Sequence, residues 1–484
     1  MANRMQKFIE LGEHRPAKRA ATARLGDFDE IYGEFDPSAA ADQAARCSQC
    51  GIPYCQVHCP LHNNIPDWLM LTAEGRLEEA YELAQSTNTF PEICGRICPQ
   101  DRLCEGNCVI ERAGHGAVTI GAVERYITET AWERGWVRPI EPRHERQQSV
   151  GIVGAGPAGL AAAEQLRMLG YRVTVYDRHD RIGGLLVYGI PNFKLDKAVV
   201  ARRAERLRQG GVEFHLNRAI GRDISLADLR ARHAAVLLAT GVYRARDIKV
   251  PGVGLGNVYP ALDYLIASNR VGLGDAVPAF ESGALNAAGK DVVVIGAGDT
   301  AMDCVRTAAR QGAASVKCLY RRDRINMPGS RREVDHAEEE GVEFVWLSAP
   351  EAFLGDDTVR AVRAQKVHLG AVDATGRQIP RMLEGSSFSM DARMVIKALG
   401  FDPEDLPTAL GAADLAVTDW GTLRIDRRTK RTSLNGVFAA GDIVRGASLV
   451  VWAIRDGRDA ATQIHAYIAA MEPAGAEPSR RDVA

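Results

Sequence analysis

A duplicated segment constrains the fold more than any other feature of this sequence. SVGIVGAGPAGLAAAEQLRMLGYRVTVYDR (149–178) returns as DVVVIGAGDTAMDCVRTAARQGAASVKCLYRR (291–322), and each copy later reaches an apolar strand ending in small residues, at 236–241 and 395–400. Short apolar strands that alternate with helical patterns indicate a parallel sheet covered by helices. The sequence therefore predicts an α/β fold of two nested Rossmann-like dinucleotide-binding domains, the second inserted into the first.

The first copy carries a glycine motif at Gly154, Gly156 and Gly159, directly after an apolar strand and at the start of a helix. Such glycines allow a tight turn and let a pyrophosphate approach the helix N-terminus. Asp177 ends the next strand, where its carboxylate can accept a hydrogen bond from a ribose hydroxyl. The alternative is an ordinary glycine turn in a βαβ unit.

The second copy carries Gly296, Gly298, Asp299 and Thr300 in the equivalent loop. Its second strand ends in Arg321 and Arg322 instead of an acid. An acid would bind a ribose 2′-hydroxyl, whereas arginine would bind a 2′-phosphate. We therefore predict that this site prefers NADPH, with a solvated surface pair as the alternative interpretation of the arginines.

Other small residues distinguish FAD from NAD at the first site, namely Gly184, Thr240, Gly241, Gly441 and Asp442. Together with the two loops they resemble the glutathione-reductase-like flavoproteins, in which an NAD(P)H-binding fold interrupts the FAD-binding fold. The resemblance implies that Asp442 holds the ribityl or pyrophosphate region of FAD. It also implies that a helix starting near residues 450–453 points its N-terminus at the flavin, where a positive helix end stabilises the anionic reduced ring.

Eight of the ten cysteines lie between Cys47 and Cys108. Disulfide reductases need a reactive cysteine pair beside the flavin, but residues 149–484 contain only the solitary Cys304 and Cys318. Electrons must therefore leave the flavin by another route. The eight clustered cysteines could hold two 4Fe–4S clusters or two zinc ions. Only Cys47 and Cys50 have the C-x2-C spacing of a zinc ribbon. The Cys-Pro ending of the cysteine runs is typical of ferredoxins and therefore favours the clusters.

Three segments, 46–68, 89–108 and 116–127, resemble the small (beta) subunits of NADPH-dependent glutamate synthase, and also the N-terminal half of dihydropyrimidine dehydrogenase. The resemblance implies a crossed ligation, in which one cluster is held by Cys47, Cys50, Cys55 and Cys108. The other cluster would be held by Cys59, Cys98, Cys104 and a non-cysteine ligand, Glu124. Cys94 is left outside this set and is the alternative fourth ligand.

The predicted domains are a helical iron–sulfur domain (1–145), a first FAD-binding part (146–285), an NADPH-binding domain (286–400) and a second FAD-binding part (401–484). The polar, proline-broken stretch 139–148 is the expected linker. A formal net charge of −2 gives no indication of a nucleic-acid partner. No apolar run approaches the roughly 20 residues that span a bilayer, so we expect no membrane partner and a cytoplasmic location.

These features predict an oxidoreductase that carries electrons from NADPH through FAD to two 4Fe–4S clusters. The resemblance implies a hetero-oligomer in which the large (alpha) subunit of glutamate synthase receives the electrons and makes glutamate from glutamine and 2-oxoglutarate. One alternative is an electron-input subunit for ferredoxin or another dehydrogenase; a further alternative is a non-catalytic redox-sensing subunit. The cofactors carry this chemistry, so the sequence identifies no catalytic acid or base.

Overall fold

The N-terminal part of the computed structural model, which describes residues 6–373 and 376–471, is helical. Residues 65–87 form two helices that are separated at Gly75, whose φ of 76° ends the first helix before the second begins. Apolar faces of these helices enclose Trp68 and Ile127, both fully buried. The helices are α1 (Lys7–Glu10), α2 (Ala21–Arg24), α3 (Pro37–Ala45), α4 (Tyr54–Val57), α5 (Ile65–Ala73), α6 (Leu77–Thr87), α7 (Pro91–Ile97), α8 (Val109–Arg112) and α9 (Ile120–Glu133), with 3₁₀ turns at Gln100–Arg102 and Glu105–Asn107.

Strands alternate with helices from residue 149 onward, as the sequence predicted. Strand β1 is buried along residues 150–153 because helices cover both faces of its sheet. The elements up to the second glycine motif are β1 (Ser149–Val153), α10 (Pro157–Met168), β2 (Arg172–Tyr176), α11 (Leu185–Tyr188), α12 (Lys197–Gln209), β3 (Glu213–His215), α13 (Leu226–Arg232), β4 (Ala235–Leu238), β5 (Arg244–Ala245), β6 (Val258–Pro260), α14 (Ala261–Gly272) and α15 (Pro278–Glu281).

The duplicated segment opens the next series of elements. It contains β7 (Asp291–Ile295), α16 (Asp299–Arg310), β8 (Ser315–Leu319), α17 (Arg331–Glu339), β9 (Glu343–Val345), β10 (Ser348–Gly355), β11 (Val359–Val372), β12 (Gln378–Asp391), β13 (Met394–Lys397) and β14 (Phe401–Asp402). The antiparallel sheet β10-β11-β12 has no counterpart in the first copy and was not predicted. The chain then continues through α18 (Leu406–Ala409), β15 (Val437–Ala439), α19 (Asp442–Arg445) and α20 (Val450–Ala469).

The strand orders confirm the nested α/β architecture. One parallel sheet has the order β15-β4-β1-β2-β3, so a strand near the C-terminus completes a sheet that begins at residue 149. The other parallel sheet, β6-β13-β7-β8-β9, is formed by chain between those parts. The segments that lead into and out of the second fold pair with each other as β5 and β14.

The domain boundaries stay predictions, although β6 lies inside the range predicted for the FAD-binding part and pairs in the second sheet. The helical domain packs on the first fold, because Phe90, Ile93 and Cys94 join the buried core that contains β1, α10 and α20. None of the helices in the described ranges 6–373 and 376–471 is long and apolar enough to cross a membrane.

Candidate functional site

The parallel strands bring the first set of predicted residues to one edge of a sheet. Strand β1 ends at Val153, which pairs with Tyr176 of β2 and with Leu238 of β4, so the loops that follow these strands lie side by side. Ligands of open α/β sheets bind at this carboxyl edge. The adjacent loops carry Gly154, Gly156, Asp177, Thr240 and Gly241, and β15 adds Gly441 and Asp442 at the same edge.

The glycine loop before α10 leaves space only where a phosphate is expected. Gly154 has a φ of 111°, and a Cβ atom there would lie 2.3 Å from the carbonyl oxygen of Ala239. A Cβ atom at Gly159 would lie 2.0 Å from the carbonyl oxygen of Gly154. A Cβ atom at Gly156, the N-cap of α10, would meet nothing within 4 Å. The open position at a helix N-terminus fits a pyrophosphate.

Asp177 is fixed by backbone groups of the same loops. Its carboxylate accepts hydrogen bonds from the Ala155 N–H at 2.7 Å and from the His179 N–H at 2.8 Å. The side chain is only 7% exposed. Since each carboxylate oxygen accepts more than one hydrogen bond, Asp177 retains capacity for a ribose hydroxyl.

The remaining small residues shape the same space. Gly184 has a φ of 54°, and a Cβ atom there would lie 2.9 Å from the Cα of Gly156. The Asp442 carboxylate accepts a hydrogen bond from the Ser448 hydroxyl at 2.7 Å, and burial raises the pKa of Asp442. The buried Thr240 hydroxyl has no hydrogen-bond partner among the described residues. An unpaired buried hydroxyl beside an open glycine loop fits a bound dinucleotide such as FAD.

One cavity of about 330 Å³ connects the predicted sites. Gly156, Asp177, Thr240 and Asp442 line it from the first fold, together with Val450 and Ala453 at the start of α20. Asp299 and Thr300 line it from the second fold. Cys98 lines it from the helical domain.

The second glycine loop repeats the geometry of the first. Gly296 has a φ of 131°, and a Cβ atom there would lie 2.2 Å from the carbonyl oxygen of Ala398, whereas a Cβ atom at Gly298 would meet nothing within 4 Å. Helix α16 begins at Asp299, whose carboxylate accepts a hydrogen bond from the Ser330 N–H at 3.0 Å. The second loop therefore has the open helix N-terminus that a second dinucleotide needs.

The two arginines predicted to select NADPH have different surroundings. Arg321 is exposed, whereas Arg322 is buried at 8% exposure and its Nε donates to the carbonyl oxygen of Gln378 at 2.9 Å. Neither residue lines the 330 Å³ cavity. The role of the pair in binding a 2′-phosphate therefore stays a prediction.

The predicted ligands of the first cluster stand around one small cavity. Cys47, Cys50, Cys55 and Cys108 line it together with apolar residues that include Leu69 and Ile120. Burial raises the pKa of the Cys47 thiol to about 11 and that of Cys55 to about 12, so thiolates in this apolar setting would be stabilised by positive charge such as that of iron. Cys47 and Cys50 lie in the loop after α3, Cys55 lies in α4, and Cys108 directly precedes α8.

The second predicted set also converges, and Cys94 is part of it. The neighbouring Cys94 and burial raise the pKa of the Cys98 thiol, with Glu124 and Cys104 close enough to add to the effect. Burial raises the pKa of Cys59 to about 11, and Glu124 and Cys94 lie close enough to contribute to this shift. The geometry therefore brings both candidate fourth ligands to the same group of cysteines.

Two asparagines that the sequence analysis did not single out orient Glu124. Asn63 and Asn88 donate hydrogen bonds to its Oε1 at 3.0 and 3.1 Å. The Glu124 side chain is 7% exposed, and burial raises its pKa to about 8. Asn63 lies in the segment 46–68 that carries the family resemblance, but nothing in the spacing indicated its role.

Within the described residues, no three histidine, cysteine or acidic side chains have the spacing of a single-ion site.

Two family models match this chain. Residues 24–136 match dihydropyrimidine dehydrogenase domain II, a 4Fe-4S cluster domain, and residues 148–457 match the pyridine nucleotide-disulphide oxidoreductases. The chain is therefore an NADPH-dependent oxidoreductase with an iron–sulfur domain. The match to a 4Fe-4S family favours clusters over the zinc alternative.

Relatives match over nearly the whole chain. The glutamate synthase [NADPH] small chain of Azospirillum brasilense is 67% identical over 98% of this chain and 98% of its own length. The putative oxidoreductase AegA of Escherichia coli is 47% identical over 93% of this chain and 69% of its own length. The structure of Mycobacterium tuberculosis FprA in complex with NADPH has a TM-score of 0.56 over 67% of this chain and 85% of that chain, at 19% identity, which shows a shared fold. With this identity and coverage, the chain belongs to the family of glutamate synthase [NADPH] small chains.

Proposed function

We propose that this chain is the electron-input subunit of glutamate synthase, which oxidises NADPH at a bound FAD and passes the electrons through two 4Fe–4S clusters to a large subunit. The large subunit would then make glutamate from glutamine and 2-oxoglutarate. The proposal depends mainly on one observation, which is that residues of both glycine loops and Cys98 line the same cavity. When bound, FAD accepts two electrons as a hydride from NADPH and can release them one at a time.

The residues of the cavity have separable tasks in this proposal. The open helix N-termini at Gly156 and Gly298 would hold the two pyrophosphates. Asp177 would bind the FAD ribose, and Asp442 would bind the ribityl or pyrophosphate region. The first turn of α20, at Val450, would face the flavin and favour the reduced, anionic ring through the positive end of the helix.

The arrangement of the cysteines supports an order of electron flow. Cys98 lines the flavin cavity, so the group of Cys59, Cys98 and Cys104 would receive electrons first. Cys104 lies near Cys55 of the other group, so Cys47, Cys50, Cys55 and Cys108 would form the exit cluster. We further propose that Glu124 completes the entry cluster, because Asn63 and Asn88 hold its buried carboxylate among those cysteines.

An experiment with and without the large subunit tests this proposal. The purified chain with FAD should reduce an artificial dye with NADPH, and it should form no glutamate from glutamine and 2-oxoglutarate. Adding the large subunit should restore NADPH-driven glutamate synthesis, and changing Cys47 to serine should abolish that synthesis. Dye reduction by the serine variant serves as the matched control, because dyes can take electrons directly from the flavin. Glutamate synthesis by the chain without a partner would contradict the proposal.

A second candidate function rests on the match to AegA, which is named as an oxidoreductase and is longer than this chain. The same module could deliver electrons to ferredoxin or to another dehydrogenase. Failure of the large subunit to bind the chain, combined with NADPH-driven ferredoxin reduction, would favour this alternative.

A further inference from the structure

Four consecutive residues, Ser330–Glu333 at the start of α17, contact all three parts of the molecule. We name them the junction segment. The Ser330 N–H donates to Asp299 of the second glycine loop at 3.0 Å, and the Ser330 hydroxyl donates to Asp101 of the helical domain at 3.1 Å. The segment therefore links the loop expected to hold NADPH directly to the iron–sulfur domain.

Arg332 strengthens the link to the helical domain. Its guanidinium donates to Gln100 Oε1 at 2.9 Å and to Glu105 Oε2 at 2.8 Å. The Glu105 side chain is only 2% exposed, and Arg15 also pairs with it at 2.8 Å. Charge-assisted hydrogen bonds to a buried carboxylate such as that of Glu105 resist separation more than exposed ion pairs do.

Lys194 makes the corresponding link to the FAD-binding fold. It lies between α11 and α12, and its ammonium group lies 2.8 Å from Asp303 Oδ1 on α16 and 3.5 Å from Glu333 Oε2 in the junction segment. The side chains of Lys194 and Asp303 are only 12% and 10% exposed. All three residues line the 330 Å³ cavity between the two glycine loops.

These links, together with others such as the ion pair of Arg24 with Glu340 at 3.0 Å, hold the second fold against the rest of the molecule. The second fold is joined to the first through the segments that pair as β5 and β14, which form a short two-residue ladder. Linking segments at the ends of elements are typical hinge positions. Hydride transfer needs the nicotinamide and the flavin within about 3–3.5 Å in one orientation, and small misplacements are costly in rate.

We propose that Lys194 is a positioning residue that, together with the junction segment, holds the NADPH-binding fold in the orientation required for hydride transfer to the flavin. Lys194 acts through Asp303 and Glu333 and takes no part in the chemistry. The inference rests on the NADPH-to-flavin step of the proposed function and does not depend on the identity of the electron-accepting partner.

The test compares Lys194→Met with the conservative Lys194→Arg in the full chain loaded with FAD. Anaerobic rapid mixing with a series of NADPH concentrations separates the limiting rate of flavin reduction from the dissociation constant of NADPH. We expect Lys194→Met to lower the limiting rate about 10- to 100-fold through misplacement of the nicotinamide. The dissociation constant should change by less than about threefold, and Lys194→Arg should recover most of the rate because it keeps the charge.

Two controls separate positioning from general damage. Lys317→Met removes a lysine from a more exposed ion pair with Glu343 inside the same fold, and it should leave the limiting rate unchanged. Reduction by dithionite does not use the NADPH-binding fold, so it should proceed equally in all variants. Amide hydrogen exchange without NADPH provides a readout independent of activity: exchange in α16 and α17 should accelerate in Lys194→Met and not in Lys317→Met.

Each other outcome overturns the inference. A wild-type limiting rate in Lys194→Met would show that the ion pair does not position the domain. A change confined to the dissociation constant would assign Lys194 to NADPH binding instead, and an equally slow Lys194→Arg would exclude a role for the charge pair. If Lys194→Met does not fold, Asp303→Asn removes the attraction between Lys194 and Asp303 while nearly keeping the shape of the side chain. This variant must then show the same slow limiting rate of flavin reduction. Failure of the wild-type chain to reduce its flavin with NADPH would instead refute the proposed function.

Discussion

At the scale of single residues, the spacing of the cysteines does not show whether Cys94 or Glu124 is the fourth ligand of the second cysteine group. Cys94 and Glu124 both reach the group formed by Cys59, Cys98 and Cys104. Cys94 also lies in the core that joins the helical domain to the first fold, and its thiol is 3.7 Å from the Asn88 side-chain oxygen. Glu124, in contrast, accepts hydrogen bonds from the side-chain amides of Asn63 and Asn88. Ligating carboxylates in metal sites are commonly oriented by hydrogen bonds of this kind.

We expect Glu124→Ala to lose the entry cluster and Cys94→Ala to retain it. Iron and sulfide analysis of protein made anaerobically should show about half the iron in Glu124→Ala if two 4Fe–4S clusters are present. Glu124→Gln is the matched control, because it keeps the shape of the side chain and one oxygen that can act as a ligand. Full iron content in Glu124→Ala together with loss in Cys94→Ala would assign the ligand to Cys94.

The arginine pair gives a second prediction at this scale. Arg322 already donates to Gln378, whereas Arg321 is exposed and would meet a 2′-phosphate, so Arg321→Ala should impair NADPH use more than Arg322→Ala does. Loss of one charge-assisted contact should cost about 1.5–3 kcal/mol in kcat/KM for NADPH. NADH, which lacks the 2′-phosphate, should be used equally well by the variant and the wild type.

Arg324→Ala is the control for this measurement. It lies in the same loop, but its guanidinium pairs with Asp335 and Glu338, so its removal should not change the ratio of NADPH to NADH efficiency. Equal losses for both cofactors in Arg321→Ala would mean that the arginine does not contact the 2′-phosphate.

At the scale of elements, the strand–turn–helix unit explains why its glycines are not equivalent. Gly154 and Gly159 are required by the protein itself, because side chains there would collide with backbone oxygens. At Gly156 the protein itself would tolerate a side chain, since a Cβ atom there would enter open space. The same division holds in the second fold, where Gly296 is confined and Gly298 is open.

Gly156→Ala should therefore fold normally and bind FAD more weakly. The added methyl group would occupy the space through which the pyrophosphate approaches the helix, at a cost of about 1–3 kcal/mol in binding. Titration of the apoprotein with FAD, followed by flavin fluorescence, measures this change, and the unfolding midpoint of the apoprotein should not move. Gly254→Ala, which also meets nothing within 4 Å, is the matched control outside the cavity. Unchanged FAD affinity in Gly156→Ala would place the pyrophosphate elsewhere.

At the scale of the whole molecule, the helical domain packs against the first fold and shares its buried core. Phe90 and Ile93 extend the core of the first fold, and Arg203 of α12 forms a bidentate ion pair with Glu92 of α7 at 2.7 and 2.8 Å. Both side chains are at most 1% exposed. This packing fixes Cys98 at the cavity and would therefore set the distance between the proposed flavin site and the proposed entry cluster.

Breaking this pair should destabilise the whole chain. Glu92→Ala leaves Arg203 buried without its carboxylate, and we expect a loss of about 3–5 kcal/mol in the free energy of unfolding, measured by urea denaturation of the FAD-loaded protein. Arg76→Ala removes an arginine from an exposed pair with Glu79 and should have no measurable effect. A Glu92→Ala protein as stable as the wild type would mean that the domain interface contributes little.

The sequence by itself determined the nested fold, the two glycine loops and the presence of an iron–sulfur domain. These features depend on local chemistry: short continuous apolar strands, glycines at fixed offsets and cysteines at fixed spacings are visible in a single chain. It did not predict β10–β12, because nothing in the first copy of the duplication corresponds to that antiparallel sheet.

Only the tertiary structure decided which distant residues meet. The convergence of Cys98 with both nucleotide loops, the amide support of Glu124 by Asn63 and Asn88, and the pairing of Lys194 with Asp303 join residues far apart in the chain. Such contacts are set by how domains pack against one another, and packing depends on the combined shape and burial of many side chains. No local pattern records that information, so a lysine in an ordinary loop becomes visible as a positioning residue only in the folded molecule.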